Sequence, residues 1–341
     1  MSPIAEPISR LVIVLTLALI ALALTAALGS SDRAEGAPNV AGCTVFPDFS
    51  GAPDAKSAAD QTAWNQDITK APVHKRSKEI IKQINRDGPT DLHPDFGSPL
   101  EYGIPFTVVD ANQPDVEVTI GPDGYPKESD FGPAPIPANA RIEGDGADGD
   151  RHTLVVDSGN CGLYELYRAE RLTGNSWQAD TTAFFDLAQA GPLRPAGFTS
   201  ADAAGLPIFP GLVRYDEAIT GQIDHAIRVT FEETRSGYIP PATHQASDSC
   251  NKNRPPMGMR FRMKRSFYNK NLGGFPEGSQ SRAIFDALYR FGMINADNGS
   301  NWFFSGGTDP RWDDDDLNRL KRIPGKAFEV VKSAAKEKTS C

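Results

Sequence analysis

Alternation of apolar and polar residues predicts most of the regular structure of this chain. Apolar side chains recur at every second position over residues 225–231 and 259–264, a period that is typical of strands with one buried face. The same signal predicts strands over residues 105–109, 116–120, 152–157, 163–169 and 182–187. Residues 154–157 and 163–166 would form a hairpin around the turn residues Ser158, Gly159 and Asn160.

Helical periodicity is weaker and lies nearer the ends of the chain. Apolar residues at 284, 287, 288 and 291 follow the i, i+3, i+4, i+7 spacing, and Gly292 stands where helices commonly end. Residues 75–85, 314–321 and 326–336 are more polar helix candidates. Because the strands lie mostly in the middle of the chain, we predict an antiparallel β-sandwich or jelly roll with peripheral helices.

The N-terminal region carries a targeting signal. Residues 11–28 are apolar apart from two threonines, and Arg10 precedes them. Such a run is the core of a secretory signal peptide or, if uncleaved, a membrane-spanning helix. We therefore predict that residues 1–37 are a signal peptide or membrane anchor. Residues 38–341 would form a single domain, extracellular or on the outer face of the cytoplasmic membrane.

The charge of the chain restricts its partners. The formal net charge is −9, and no long run of lysine or arginine occurs. This balance argues against nucleic acid or an anionic membrane surface and favours a neutral or cationic partner.

The four cysteines are an even number, which in an oxidising compartment favours two disulfides. Of the three pairings we favour Cys43 with Cys161 and Cys250 with Cys341, because the second would fasten the last residue to a long polar loop. The sequence around Cys43 also has the composition of a lipoprotein box, in which that cysteine would be acylated, but a polar stretch separates it from the apolar run.

A glycine-rich loop over residues 143–152 concentrates four carboxylates and one imidazole. Glycine lets a backbone fold back so that several oxygens converge, as calcium requires. Calcium is therefore the candidate cofactor, with Asp145 and Asp148 as ligands. The spacing does not match an EF-hand, and the alternative is a solvated acidic turn.

Two histidines begin predicted strands whose same-face residues are apolar. His152 and His225 should therefore point inward near a sheet edge, where a ligand cleft could open. Asp150 and Asp224 precede them and could orient or charge the rings. The alternative for each is a buried structural histidine.

Glu165 lies among aromatic and apolar residues, and loss of water there would raise its pKa and suit it to acid/base catalysis. An exposed surface glutamate is the alternative. Tyr167 and Trp177, with His244, are the candidate substrate-binding residues, because aromatic rings stack on sugars. Aromatic residues in strands are also common in cores.

The acidic run of residues 309–316 is interpreted as a helix start, because aspartate favours the N-terminal end of a helix. Residues 297–300 resemble the turn before a strand, although Asp297 beside an amide could also hold a ligand.

The chain has no G-x-S-x-G, H-E-x-x-H, P-loop or dinucleotide motif. Common esterase, zincin and nucleotide-binding functions therefore lose support.

Eight strings together resemble a family of exported proteins of actinobacteria and other soil bacteria, for which no activity is assigned. The strings are 43–47 (CTVFP), 92–97 (LHPDFG), 150–157 (DRHTLVVD), 163–167 (LYELY), 199–208 (TSADAAGLPI), 210–217 (PGLVRYDE), 223–226 (IDHA) and 296–300 (ADNGS). The resemblance covers residues 43–331 and implies a secreted single-domain protein. It implies no catalytic residue, and Cys250 and Cys341 lie outside its strings.

Our leading hypothesis is a secreted or surface-tethered hydrolase or lyase that acts on polysaccharide or cell-wall material. Asp150 and Glu165 are the acid/base candidates, His152 and His225 are charge stabilisers or metal ligands, and Asp224 assists. The competing hypothesis is a non-catalytic envelope protein that binds glycan or has a structural role, and tethering through residues 11–28 would favour it. A sandwich peptidase is a third hypothesis, which the missing motifs disfavour.

Overall fold

The computed structural model describes residues 39–45, 63–100, 102–130, 132–188 and 194–341. The predicted signal peptide or anchor, residues 1–37, lies outside these ranges. Within them, no helix is long and apolar enough to cross a membrane. All of the described residues belong to one compact unit of the chain.

The strands are short, in keeping with the 31 glycines and 27 prolines of the sequence. They are β1 (Asn39–Val40), β2 (Cys43–Thr44), β3 (His93–Asp95), β4 (Phe106–Val109), β5 (Val118–Ile120), β6 (Thr153–Asp157), β7 (Gly162–Tyr167), β8 (Glu170–Arg171), β9 (Trp177–Ala179), β10 (Thr181–Asp186), β11 (Ile227–Phe231), β12 (Arg260–Met263), β13 (Met293–Asn298), β14 (Phe303–Ser305) and β15 (Phe328–Val330).

Helices are fewer in the described ranges. They are α1 (Ser77–Asp87), α2 (Tyr215–Ala218), α3 (Arg265–Asn271), α4 (Gln280–Arg290) and α5 (Asp314–Leu317). Short 3-10 helices lie at Glu143–Gly146, Phe209–Gly211, Leu272–Gly274, Leu320–Arg322 and Gly325–Ala327.

The strands form three mixed sheets and a two-stranded ribbon, β1–β2. The sheet orders are β10-β7-β6-β4, β15-β12-β13-β11-β14-β3 and β5-β9-β8. The mainly β prediction is confirmed, and β6 and β7 form the predicted hairpin. The predicted antiparallel arrangement is wrong, because β4–β6, β5–β9, β11–β13 and β14–β3 are parallel pairs. Alternation identifies a strand but not its partner, and parallel partners are distant in sequence.

The four-stranded and six-stranded sheets bury their apolar faces in one core. Leu154 and Leu163 of the hairpin belong to the same buried cluster as Val229 and Phe231 of β11. A second, smaller cluster surrounds Trp177 on β9.

Helix α4 confirms the predicted apolar periodicity. The hydroxyl of Ser279 caps it by accepting a hydrogen bond from the Arg282 N–H. At its end Gly292 has a φ of +69°, and a Cβ there would lie 2.0 Å from the Phe261 carbonyl oxygen. Only glycine fits this close approach between the helix end and β12.

The acidic run of residues 309–316 does begin a helix. Asp313 caps α5 by accepting hydrogen bonds from the N–H groups of Asp315 and Asp316. The helix predicted over residues 326–336 is wrong, since residues 328–330 form β15. Phe328 and Val330 are buried there, while Glu329 between them pairs with Arg262 on β12.

Both predicted disulfides are confirmed, Cys43–Cys161 and Cys250–Cys341. Two disulfides are typical of an oxidising, extracellular setting. Because the sulfur of Cys43 is bonded to Cys161, it has no thiol to be acylated, and the lipoprotein interpretation fails in this disulfide-bonded form.

Candidate functional site

Four neighbouring strands of the six-stranded sheet bring polar side chains to one region. Asp95 at the end of β3 pairs in register with Ser305 at the end of β14. Arg228 lies on the next strand, β11, and Asp297 lies on β13 beyond it. Sheet pairing therefore assembles groups that are more than 200 residues apart in sequence.

A β-bulge decides where Asp297 points. Val229 pairs with Asn295, but the next residue, Thr230, pairs with Asp297, so Ala296 is an extra residue in β13. Side chains alternate along a strand, which places Thr230 on the same face as Arg228. The bulge thus turns Asp297 towards Arg228.

The guanidinium of Arg228 is buried and organises the cluster. It donates two hydrogen bonds of 2.9 Å to the carboxylate of Asp202 and a third of 2.9 Å to Asp297 Oδ2. A fourth, of 2.8 Å, goes to the hydroxyl of Ser305. The Asp202 side chain is fully buried, whereas that of Asp297 is 19% exposed.

The carboxyl of Asp297 has a strongly raised pKa beside Asp202. Burial raises the pKa of Asp297 to about 8, the adjacent charge of Asp202 and the hydrogen bond between the two carboxyls act in the same direction, and Arg228 opposes them. Two carboxylates in contact cannot both ionise cheaply in a buried place. The raised pKa of Asp297 favours its protonated form, so that Asp297 can donate a proton near neutral pH.

The loop over residues 199–205 holds Asp202 in place. The Asp202 N–H donates to the hydroxyl of Ser200, which itself donates to the Leu206 carbonyl. The Ala204 N–H donates to the carbonyl of Ala296, the bulge residue. This loop therefore fastens the buried carboxylate to β13.

His152 and Glu143 form a second charged pair beside the first. Their Nδ1 and Oε2 atoms are 2.6 Å apart, and the ring Nε2 lies 3.0 Å from the Ala201 carbonyl oxygen. Burial by itself lowers the pKa of His152, but the charge and hydrogen bond of Glu143 outweigh it and raise the pKa to about 9. His152 is therefore an imidazolium that can donate from both nitrogens at neutral pH.

Replacing Glu143 with glutamine should destabilise the protein in a pH-dependent way. A histidine whose folded pKa is raised contributes stability that is full below its unfolded pKa of 6.5 and is lost as pH rises through about 9. The contribution is about 3 kcal/mol at pH 6. Urea denaturation of both proteins at pH 6 and pH 10 measures it.

Asp148→Asn, an exposed carboxylate of the same loop, is the matched control and should show no such dependence. An equal deficit of Glu143→Gln at both pH values would contradict the charged-pair assignment.

A cleft of about 430 Å³ reaches this region at Asp95, while Asp202, Arg228 and Asp297 are not among the described residues that line it. Its walls include Asp95, Tyr102 and the rings of His93 and Phe303, which stack with centroids 4.2 Å apart. Asp95 is open to solvent on a concave wall. Partial loss of water there raises the pKa of Asp95, the charge of Glu143 raises it further, and Arg228 lowers it. The cleft and the buried cluster are therefore electrostatically coupled.

His225 and Asp224 belong to a different network. His225 Nε2 lies 3.1 Å from Glu217 Oε2, and its Nδ1 lies 2.8 Å from the Ala226 carbonyl oxygen. Asp224 accepts a hydrogen bond of 3.2 Å from Arg290. His225 therefore has different hydrogen-bond partners from His152, although both rings are buried as expected.

Glu165 is buried as predicted, but its contacts give it a structural task. Its carboxylate accepts hydrogen bonds from the N–H groups of Ile208 and Phe209. Burial raises its pKa to about 7, and those two backbone bonds oppose the shift. Because the side chain has no exposed surface, Glu165 positions the turn that follows the 199–205 loop instead of contacting a substrate.

The three predicted substrate-binding residues have different surroundings. Tyr167 is half-buried, and its ring centroid lies 5.8 Å from that of His152. His244 is half-buried, with Nδ1 2.9 Å from the Ala203 carbonyl oxygen next to Asp202. Trp177 is buried under the guanidinium of Arg171, so its ring belongs to the core and offers no face to a sugar.

The glycine-rich loop leaves Asp145, Asp148 and Asp150 exposed. Over the described ranges, no group of three or more His, Cys, Asp or Glu residues could hold a metal ion. The calcium hypothesis at Asp145 and Asp148 therefore gains no support. The charge of Asp150 contributes to the raised pKa of His152, but only as the weakest of its causes.

Sequence reasoning missed most of the assembled site. Asp95, Asp202 and Asp297 each lie inside a string that carries the family resemblance, yet none was singled out as catalytic. Arg228 is a polar residue between the apolar ones of an alternating strand, a position that usually faces solvent. Glu143 was noticed only as one of several carboxylates in the glycine-rich loop.

Comparisons with protein-family models, with characterised proteins and with solved structures find no match to this chain. The function must therefore be inferred from the geometry of the cluster and its cleft.

Proposed function

We propose that this protein is an extracellular glycoside hydrolase that cleaves neutral glycan, with the Asp202–Asp297 pair as general acid and Asp95 as general base. The observation that carries the proposal is geometric: Arg228 binds Asp202, Asp297 and Ser305 at once, and Asp95, the strand partner of Ser305, lines an open cleft. Two disulfides support the extracellular setting, and the shared core of the two larger sheets supports the predicted sandwich arrangement.

The proposed chemistry needs one protonated and one ionised carboxyl. Asp297 gives its proton to the glycosidic oxygen as the bond from that oxygen to the anomeric carbon breaks. Asp95 takes a proton from the water whose oxygen bonds to the same carbon. Arg228 and His152 keep the charges of Asp202 and Glu143 balanced, so that the donated proton is the one on Asp297.

The cleft favours an uncharged sugar chain. The stacked rings of His93 and Phe303, with the exposed ring of Tyr102, offer apolar surface of the kind on which pyranose faces pack. The two acids that line the same cleft, Asp95 and Asp314, outnumber its one lysine, Lys321, among the described lining residues, which disfavours a uronate. Because a polysaccharide lyase requires a uronate, hydrolysis is the better proposal.

The test is a screen of the purified protein against neutral glycans, including β-glucan, xylan, chitin oligosaccharides and peptidoglycan. We expect new reducing ends, identified by mass spectrometry as products that have gained water. Products with an unsaturated sugar would indicate a lyase instead. The control is Asp297→Asn, which should release new ends at least about a hundredfold more slowly.

One observation favours a non-catalytic alternative. Every oxygen of Asp202 is already bonded to Arg228, and structural ion networks also perturb pKa values. Binding of glycan without any product, equal in the parent protein and Asp297→Asn, would establish a binding protein.

A further inference from the structure

A second concave surface lies along helix α1 and is strongly basic. It is a groove of about 770 Å³, bounded by α1, by the residues before it and by residues beside β12 and β15. We name it the basic groove. Its cationic lining residues are Lys75, Lys78, Lys82, Arg86, Lys264 and Lys326.

Three of these cations form one row on α1. Lys78, Lys82 and Arg86 are spaced i, i+4, i+8, so each lies about one helical turn, roughly 5–6 Å, from the next. All three are exposed. The row therefore presents positive charges at a regular interval along the groove.

The positive charge of the groove is poorly compensated. Of its two acids, Glu79 and Glu329, the second is paired with Arg262. Over the described ranges, Lys78 and Lys82 are in no ion pair. The positive charge also affects His74, which lines the groove. Burial lowers the pKa of His74, and the charges of neighbouring cations lower it further.

The shape of the groove restricts what could bind there. A flat membrane does not enter a concave groove. Bases would need exposed aromatic faces for stacking, but Phe328 is fully buried and the ring of His74 is half-buried. A peptide strand would need a free sheet edge, but Val73 bridges to Val331 and the His74 N–H donates to the Val330 carbonyl.

We propose that the basic groove binds an acidic polysaccharide, a linear chain with carboxylates on successive sugars that pair with Lys78, Lys82 and Arg86. The attraction depends on the local positive charge of the groove. It can therefore act although the net charge of the whole protein is negative. It is independent of turnover in the cleft and would hold the protein on acidic material that surrounds its substrate.

The test measures binding of the full-length protein to polygalacturonate by isothermal titration calorimetry, with dextran as the neutral probe. We expect binding to polygalacturonate and none to dextran. The binding should weaken as added salt shortens the electrostatic screening length from about 14 Å to about 6 Å. The double variant Lys78→Glu/Lys82→Glu should bind at least tenfold more weakly. The matched control Lys127→Glu/Lys270→Glu changes the net charge equally at exposed lysines outside the groove and should stay within twofold.

Three results would overturn the proposal: no binding to polygalacturonate at low salt, an equal loss in the control variant, or tighter binding to polyphosphate or to phosphatidylglycerol vesicles. Circular dichroism checks that each variant is folded. If the double variant does not fold, Lys82→Glu alone replaces it, and a loss of at least threefold is expected.

Discussion

Replacing Asp297 with asparagine should lower the rate of glycan hydrolysis by roughly 10²–10⁴-fold, the usual contribution of a general acid. Asparagine has nearly the same shape, and its amide can still donate to the carboxylate of Asp202. It has no proton to give to a leaving oxygen. Initial rates on the glycan found in the screen measure the effect, and Asp123→Asn, at an exposed loop position, should keep the parent rate.

The same variant should gain stability relative to the parent as pH rises. A carboxyl whose folded pKa is raised from 3.8 to about 8 contributes stability at low pH that is lost as pH rises through 8. Asparagine does not titrate, so this loss disappears in the variant. Urea denaturation at pH 5 and pH 9 should therefore show the difference between the two proteins shifting in favour of Asp297→Asn.

These two readouts separate catalysis from structure. A variant that keeps more than half of the parent rate would remove Asp297 from the mechanism. A variant that loses both its activity and its folded state at pH 9 would instead assign Asp297 a structural task.

Local signals in the sequence predicted local structure well. The hairpin of β6 and β7 and helix α4 follow from periodicity and turn residues that are close in sequence. The parallel pairing of β11 with β13 joins segments more than 60 residues apart, and no periodicity within either strand indicates it. The antiparallel prediction failed for that reason.

The alternation in β11 also explains why the sequence interpretation selected His225 and not Arg228. Odd-numbered residues Ile227, Val229 and Phe231 face the core, and His225 continues that parity. Arg228 and Thr230 face the other way, towards the cluster. The apolar face carries His225, whereas the cluster lies on the opposite face, where alternation alone predicts solvent-exposed polar residues.

The glycine-rich loop was recognised correctly as a place where the backbone folds back, but for a different purpose. Gly144 and Asp145 have φ values of +62° and +53°, which bring Glu143 against His152. The ring was a predicted site residue, and its carboxylate partner was nine residues upstream in the same loop. Sequence could not show which of the four carboxylates would turn inward.

Replacing Arg228 with methionine should destabilise the fold by about 3–5 kcal/mol, the range found when one partner of a buried ion pair is removed. The guanidinium donates one hydrogen bond to each carboxylate oxygen of Asp202. That carboxylate is fully buried. Without Arg228, Asp202 would be a buried charge without its counter-ion. Urea denaturation at pH 7 measures the loss.

The double variant Asp202→Asn/Arg228→Met distinguishes the pair from simple loss of packing. Because it removes both charges, it should be more stable than Arg228→Met alone, with a coupling free energy of about 1–3 kcal/mol in the double-mutant cycle. Arg311→Met, which breaks an exposed ion pair with Asp309, should hardly move the unfolding midpoint. Additive effects at Asp202 and Arg228 would mean that the guanidinium stabilises the fold through packing, and Asp297 would then lose its proposed charge partner.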